Sequence, residues 1–229
     1  MKNLSLYHVI REPLRPSPGL PPALVLLHGV RSNEQDLLGL AAALDDRFIV
    51  ASVRAPIVMG PASFGWYHVE FTPGGGYIIN ENEAVESRGL VLQFVRELKE
   101  AYSIDPDRVY VMGFSQGCIL SLGAALKEPR SFAGVVGMSG RLLDSLVEDT
   151  APASDLKGLP VMVVHGTRDT VIPINYGRAI HELLSRLPVD LTYREYPTAH
   201  NVTAESISDI GNWLSDRLDS AVDWRTAGA

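Results

Sequence analysis

Arg108-Val-Tyr-Val-Met-Gly113-Phe114-Ser115-Gln116-Gly117-Cys118-Ile-Leu-Ser-Leu-Gly-Ala-Ala-Leu-Lys-Glu128 is the stretch whose reading decides the fold. It runs as an apolar strand to Phe114 and then, from Ser115, takes on helix-forming composition, with Pro129 just beyond its end. A chain that leaves a strand and enters a helix through Gly-x-Ser-x-Gly must turn sharply, and the flanking glycines remove the side chains that would collide across the turn. The serine on such an elbow projects its hydroxyl from the carboxyl edge of the sheet, where a nucleophile is needed. A glycine-rich helix start is the plain structural alternative, and the strand before it and the helix after it weigh against that account.

Outward from this unit, apolar runs alternate with segments of helical periodicity, the pattern of a parallel sheet covered by helices on both faces. The fold class is therefore α/β. Ala23–Leu27 is uniformly apolar, as in a strand buried on both faces. Leu4 to Ile10 reads as an edge strand, Phe48 to Val53, Phe132 to Met138, Pro160 to His165 and Leu191 to Tyr196 as further strands. Ser32-Asn33-Glu34-Gln35 has the spacing of a capping box ahead of a helix over 36–44. A long amphipathic helix runs from Glu81, carried by Val91, Val95, Leu98 and Tyr102 and closed by Asp105-Pro106. Helices are also expected over Ile174 to Leu187 and Val202 to Leu218, and 219–229 as a loosely ordered tail. Arg54 to Asn80, rich in Gly, Pro and aromatic residues, reads as a loop or lid.

The chain has 229 residues, which against roughly 150 per domain allows one large α/β domain. No linker interrupts it, so a single domain over 1–229 is expected. Hydrophobic residues at 46% and charged residues at 21% are enough to bury a core. Twenty Lys and Arg against 27 Asp and Glu leave a net charge of -7, which opposes the phosphate neutralisation that nucleic-acid binding requires. A single cysteine, Cys118, closes no intrachain disulfide and suits the cytoplasm. No segment approaches the ~20 apolar residues of a membrane span, so stable membrane insertion is not expected.

A serine needs a base, and the base an orienting acid; in this architecture they follow in the order Ser, acid, His. Asp169, in His165-Gly166-Thr167-Arg168-Asp169, leaves a strand through a turn and is the candidate acid, although a capping aspartate is common in such a place. His200, in the turn Pro197-Thr198-Ala199-His200-Asn201, is the candidate base; His181 sits worse, within an amphipathic helix. The amides of Val30, after the first buried strand, and of Gln116, after the serine, are the expected oxyanion donors. His28 reads as a structural residue holding that loop. Trp66, Tyr67, Phe71 and Tyr77, around Pro73-Gly74-Gly75-Gly76, are candidates for an acyl pocket under a lid, with core packing as the plain alternative. No phosphate loop occurs, His181-Glu182 lacks the second histidine of a zinc helix, and neither metal nor cofactor is called for. Cys118 reads as a small buried hydrophobe.

The chain resembles the phospholipase/carboxylesterase family of α/β-hydrolases, which includes the acyl-protein thioesterases. The resemblance runs from about Ala23 to Leu218. It is carried by Leu27-His28-Gly29, Arg54-Ala55-Pro56 with Trp66-Tyr67, the Gly113–Gly117 elbow, Ser139-Gly140, the His165–Pro173 block and His200. It implies a central, mostly parallel sheet without a large cap domain, a Ser115–Asp169–His200 triad, and an oxyanion hole at Val30 and Gln116. One departure stands out: many members have glycine where this chain has Arg31, expected here as a solvated surface arginine.

Together these residues lead to a serine carboxylesterase that hydrolyses short- to medium-chain carboxylic esters through an acyl-enzyme, with a small-molecule substrate and room for a homodimer. An acyl-protein thioesterase or lysophospholipase would use the same groups on a longer chain. A non-catalytic ligand-binding module on the same fold is the alternative of another class, and it has no need of a triad.

Overall fold

The computed structural model describes residues 2–71, 77–220 and 224–225, with only the backbone of Phe71. Eleven strands form within them: β1 (His8–Arg11), β2 (Ala23–Leu27), β3 (Ile49–Val53), β4 (Ile57–Gly60), β5 (Ser63–Gly65), β6 (Val69–Phe71), β7 (Tyr77–Ile79), β8 (Val109–Phe114), β9 (Gly134–Met138), β10 (Pro160–Gly166) and β11 (Asp190–Tyr196). The helices are α1 (Glu81–Ala101), α2 (Gln116–Lys127), α3 (Asp144–Val147), α4 (Ala153–Leu156), α5 (Ile174–Leu184) and α6 (Ala204–Asp219), with 3-10 turns at Leu37–Ala43 and Pro129–Ser131.

Seven strands make one sheet in the order β1-β3-β2-β8-β9-β10-β11, with only the β1–β3 pair antiparallel. Alternate side chains feed two cores, which explains the uninterrupted apolar runs. Ala23, Val25 and Leu27 of β2 face the core built with α1, α2 and α5, whereas Leu24 and Leu26 face the core built with α6 and the Leu37–Ala43 turn. β8 and β10 divide in the same way, Val111 and Val163 to one side and Met112 and Met162 to the other. Such strands need helices on both faces.

The chain first steps from β2 to β3 on one side and later returns to place β8 on the other, with Leu27 opposite Gly113. Strand order therefore reverses between β2 and β8. A crevice opens at the carboxyl ends of the strands at such a switch point, and ligands of open α/β sheets bind there.

Local details differ from expectation in five places. The Ser32–Gln35 capping box does not form: Asn33 Oδ1 accepts from the Gln35 amide at 2.9 Å, Asp36 caps nothing with its side chain, and a 3-10 turn follows. Ser32 is drawn instead into a bridge with Phe64, whose amide donates to the Ser32 carbonyl. A capping box does occur at Thr203 and Ser206, ahead of α6. The edge strand starts at His8, α5 stops at Leu184, and the 54–80 segment holds two hairpins, β4–β5 and β6–β7. In the expected tail, Trp224 packs against the main core and Arg225 donates to the Asp107 carbonyl at 2.5 Å. No helix among the described residues is long and apolar enough to cross a membrane.

Candidate active site

Each of the parallel strands from β2 to β11, β3 apart, delivers one group to the carboxyl edge. Val30 follows β2, Ser115 follows β8, Arg141 follows β9, Asp169 follows β10 and His200 follows β11. Ser115 stands at φ 55°, ψ -116°, a left-handed conformation that costs a residue with a Cβ of order 1–3 kcal/mol. The turn is held by packing around it. A Cβ on Gly113 would lie 2.1 Å from the Gly117 carbonyl oxygen, and one on Gly117 would lie 1.9 Å from that of Leu27. These two glycines let the strand, the helix and β2 meet, and the Ser115 amide donates to the Met138 carbonyl at 2.9 Å.

Asp169 and His200 meet across 31 residues: His200 Nδ1 donates to Asp169 Oδ2 at 2.6 Å. The other carboxylate oxygen, Oδ1, accepts from the amides of Val171 at 2.9 Å and Ile172 at 2.8 Å. The Asp169 side chain is wholly buried, with three donors fixing its two oxygens, while that of His200 keeps 15% exposure. Gly166 makes the approach possible, since a Cβ there would fall 2.3 Å from the Ala199 carbonyl oxygen. The amides of Thr167 and Arg168 bond the Tyr196 and Thr198 carbonyls, tying the acid loop to the histidine loop. The His200 ring lies 4.7 Å from that of Phe114, the residue before the serine. With its Nδ1 committed to the carboxylate, the free Nε2 of His200 is the nitrogen left for proton transfer.

His165, buried behind Asp169, donates from Nε2 to the Ile172 carbonyl at 2.7 Å, and burial lowers its pKa. His181 is exposed and stacks on Tyr193 at 4.6 Å, taking no part in the site. Cys118 is buried as expected, and burial pushes its thiol pKa up.

The loop after β2 is anchored rather than reactive. His28 Nε2 accepts from the Ala55 amide at 3.0 Å, so its Nδ1 carries the proton and donates to the Gly29 carbonyl at 2.7 Å. Burial lowers its pKa and keeps the ring neutral. A Cβ on Gly29 would sit 3.3 Å from that of Ser115, so this loop touches the elbow and brings Val30 beside it. Gln116 is the first residue of α2, where amides have no partner within the helix. Arg31 has φ 62°, which explains why glycine suits this position, and its side chain is exposed as expected.

A cavity of about 520 Å³ opens over Ser115, walled by Tyr67, Tyr77, Met59, Ile119, Val171 and Ile172 among others, with Val30, Gln116, Arg31 and Arg141 also on its surface. Of the four aromatic residues expected near a pocket, Tyr67 and Tyr77 line this cavity. Trp66 does not line the cavity: it is fully buried, and its indole Nε1 donates to the His28 carbonyl at 2.9 Å, so it holds the loop after β2 from behind. The Phe71 side chain and the 74–76 glycine lid lie outside the described residues. Gln116 has a second role that its motif did not reveal. Its Oε1 accepts from the Trp66 amide at 2.9 Å and its Nε2 donates to the Tyr67 carbonyl at 2.8 Å, pinning the pocket wall to the elbow. Arg141 was also missed; its only signal was its place after Ser139-Gly140. A second cavity of about 610 Å³ lies at the starts of β8, β10 and β11, the opposite edge of the sheet, and contains none of these groups.

A mostly parallel sheet with helices on both faces and a serine elbow at its switch point defines an α/β-hydrolase. The chain belongs to the phospholipase/carboxylesterase family, whose model matches residues 12–218. Acyl-protein thioesterase 1 of Gibberella zeae is 29% identical over 166 residues, 70% of this chain and 71% of that one. The protein of the same name from Emericella nidulans is 25% identical over 232 residues, 88% and 95% of the two chains. The carboxylesterase of Mesorhizobium loti has the same fold, with a TM-score of 0.79 at 20% identity over 94% of this chain and 97% of that one. That of Bacillus cereus gives 0.77 at 22%, over 93% and 94%.

Proposed function

We propose that this chain is a serine hydrolase of carboxylic esters that works through an acyl-enzyme. The observation that carries the proposal is the convergence of Ser115, on a strained elbow, with a buried Asp169 bonded at 2.6 Å to His200, all at one sheet edge. His200 Nε2 takes the Ser115 proton as Oγ attacks the acyl carbon; the amides of Val30 and Gln116 receive the oxyanion, and His200 then protonates the leaving alcohol. Water repeats the sequence on the acyl-enzyme and releases the acid. Asp169 stays ionised and holds the imidazole throughout. One chain supplies every group. The apolar cavity wall favours acyl chains of short to medium length, each buried methylene adding about 0.8 kcal/mol at most. The lone, buried Cys118 suits residence in the cytoplasm. The thioesterase name of several relatives favours a longer acyl chain on a sulfur leaving group as the second reading.

Intact-mass analysis after a fluorophosphonate probe should give one adduct, absent in Ser115→Ala, and that variant should lose on the order of 10⁴-fold in kcat on an aryl ester. Retained turnover in Ser115→Ala refutes the nucleophile. A rise in kcat/KM that continues to palmitoyl substrates promotes the second reading.

A further inference from the structure

We infer that the substrate carries a negative charge, a carboxylate, remote from the scissile bond, and that Arg141 receives it. This inference rests on the esterase reading above and names the substrate class of the same site. Arg141 follows Ser139-Gly140 at the end of β9, and Gly140 is packed so tightly under the elbow that a Cβ on it would fall 2.3 Å from Cys118 Sγ and 3.5 Å from the Ser115 carbonyl oxygen. The arginine is thereby delivered to the wall of the cavity that holds Ser115.

Two tyrosines hold the guanidinium in place. Its carbon lies 4.2 Å from the centre of the Tyr176 ring and 5.0 Å from that of Tyr77, and Nη1 donates to the Tyr77 hydroxyl, which in turn donates to that of Tyr176 at 3.3 Å. That bond to Tyr77 is the one hydrogen bond its side chain makes among the described residues, and Nε is buried with no partner. A buried donor without a partner costs free energy. A guanidinium stacked on aromatic faces keeps its N–H edge free, and that edge matches the two oxygens of a carboxylate.

Among the described residues no carboxylate pairs with it. None of the residues lining the cavity is Asp or Glu, residues 72–76 contain neither, and Arg31 adds a second cation at the rim. The chain as a whole carries a net charge of -7, so a cationic cavity runs against its overall charge. The chain's net charge of -7 makes a focused positive site more selective for a compact anion than for a large anionic surface. The ligand chemistry is thus a free carboxylate on a small ester, borne by its acyl or its alcohol part.

The test uses matched pairs. Mono(4-nitrophenyl) glutarate against 4-nitrophenyl pentanoate places the charge on the acyl side, and 4-acetoxybenzoate against 4-acetoxybenzamide places it on the alcohol side. In the native chain the anion should be preferred in one pair, and the ratio of kcat/KM values should fall about 10-fold or more in Arg141→Gln while Arg141→Lys keeps part of it. No preference in either pair, or a preference that survives Arg141→Gln, overturns the inference and leaves the esterase reading standing. Should Arg141→Gln fail to fold, competition by glutarate against the neutral ester in the native chain decides: inhibition that weakens with added salt supports the inference, and no inhibition overturns it. Calorimetry with glutarate needs no turnover. Binding to Ser115→Ala that is lost in Ser115→Ala/Arg141→Gln supports the anion site even if no ester is hydrolysed, and absence of binding refutes it.

Discussion

Replacing Gln116 with leucine isolates the contact that ties the pocket wall to the elbow. The side chain is buried, and its amide bonds the Trp66 N–H at 2.9 Å and the Tyr67 carbonyl at 2.8 Å. Leucine is of similar size and keeps the main-chain amide at the start of α2. Two buried backbone groups lose their partners, at about 2 kcal/mol each from the middle of the usual range, and burying apolar atoms in place of the amide returns about 1.5 kcal/mol, for a net loss of about 2.5 kcal/mol. For a chain of this length that lowers Tm by about 5–10 °C. Urea unfolding with an unchanged m-value gives the loss directly. KM for an aryl ester should rise as well, since Tyr67 lines the cavity and Trp66 bonds the His28 carbonyl behind the loop after β2. A stability loss below about 0.5 kcal/mol together with an unchanged KM refutes the reasoning, because the wall would then be held by its other contacts.

Two further outcomes follow from local geometry and charge. Arg31→Gly should stabilise the fold slightly, by roughly 0.5 kcal/mol, because relief of the left-handed backbone outweighs the added freedom of the unfolded chain; a loss above about 1 kcal/mol on urea unfolding sinks that account. His28 and His165 are held neutral by burial, with pKa values lowered from the ordinary one. Below about pH 6.5 the unfolded chain binds protons that the folded chain does not, so stability should fall as pH drops from there and stay flat in this respect above it. A urea midpoint that does not change between about pH 7.5 and 5.5 contradicts it.

How much could be read from the chain depends on the range of each interaction. The elbow was legible because strand, turn and helix are contiguous: Gly113, Ser115 and Gly117 carry their own steric requirement, and the clashes at Gly113 and Gly117 bear it out. The two-sided burial of β2, β8 and β10 was legible for the same reason, since a run of apolar residues states that both faces are covered. The capping box at Ser32 failed because a local hydrogen-bond pattern was outweighed by pairing with Phe64, 32 residues on in the chain.

Asp169 and His200 stood out by residue type and order alone, yet the bond between them exists only because β10 and β11 lie in register, Gly166 opposite Tyr196, and because Gly166 admits the 198–199 carbonyls. Trp66 was legible as an aromatic residue near a site, not as a buried clamp: which way a ring points is settled by the partners that meet it, here the carbonyl of His28, 38 residues earlier. Arg141 carries no motif. Its stack needs Tyr77 from β7, 64 residues before it, and Tyr176 from α5, which is 99 residues beyond Tyr77, and only the folded chain brings the three together. The sequence by itself determined the sheet strands, the two-faced core and the serine elbow, because these rest on periodicity and on sterics between neighbours. Only the tertiary structure decided which side chains share the cavity and that Arg141 meets no counter-charge among the described residues, because both depend on where separate elements end in space.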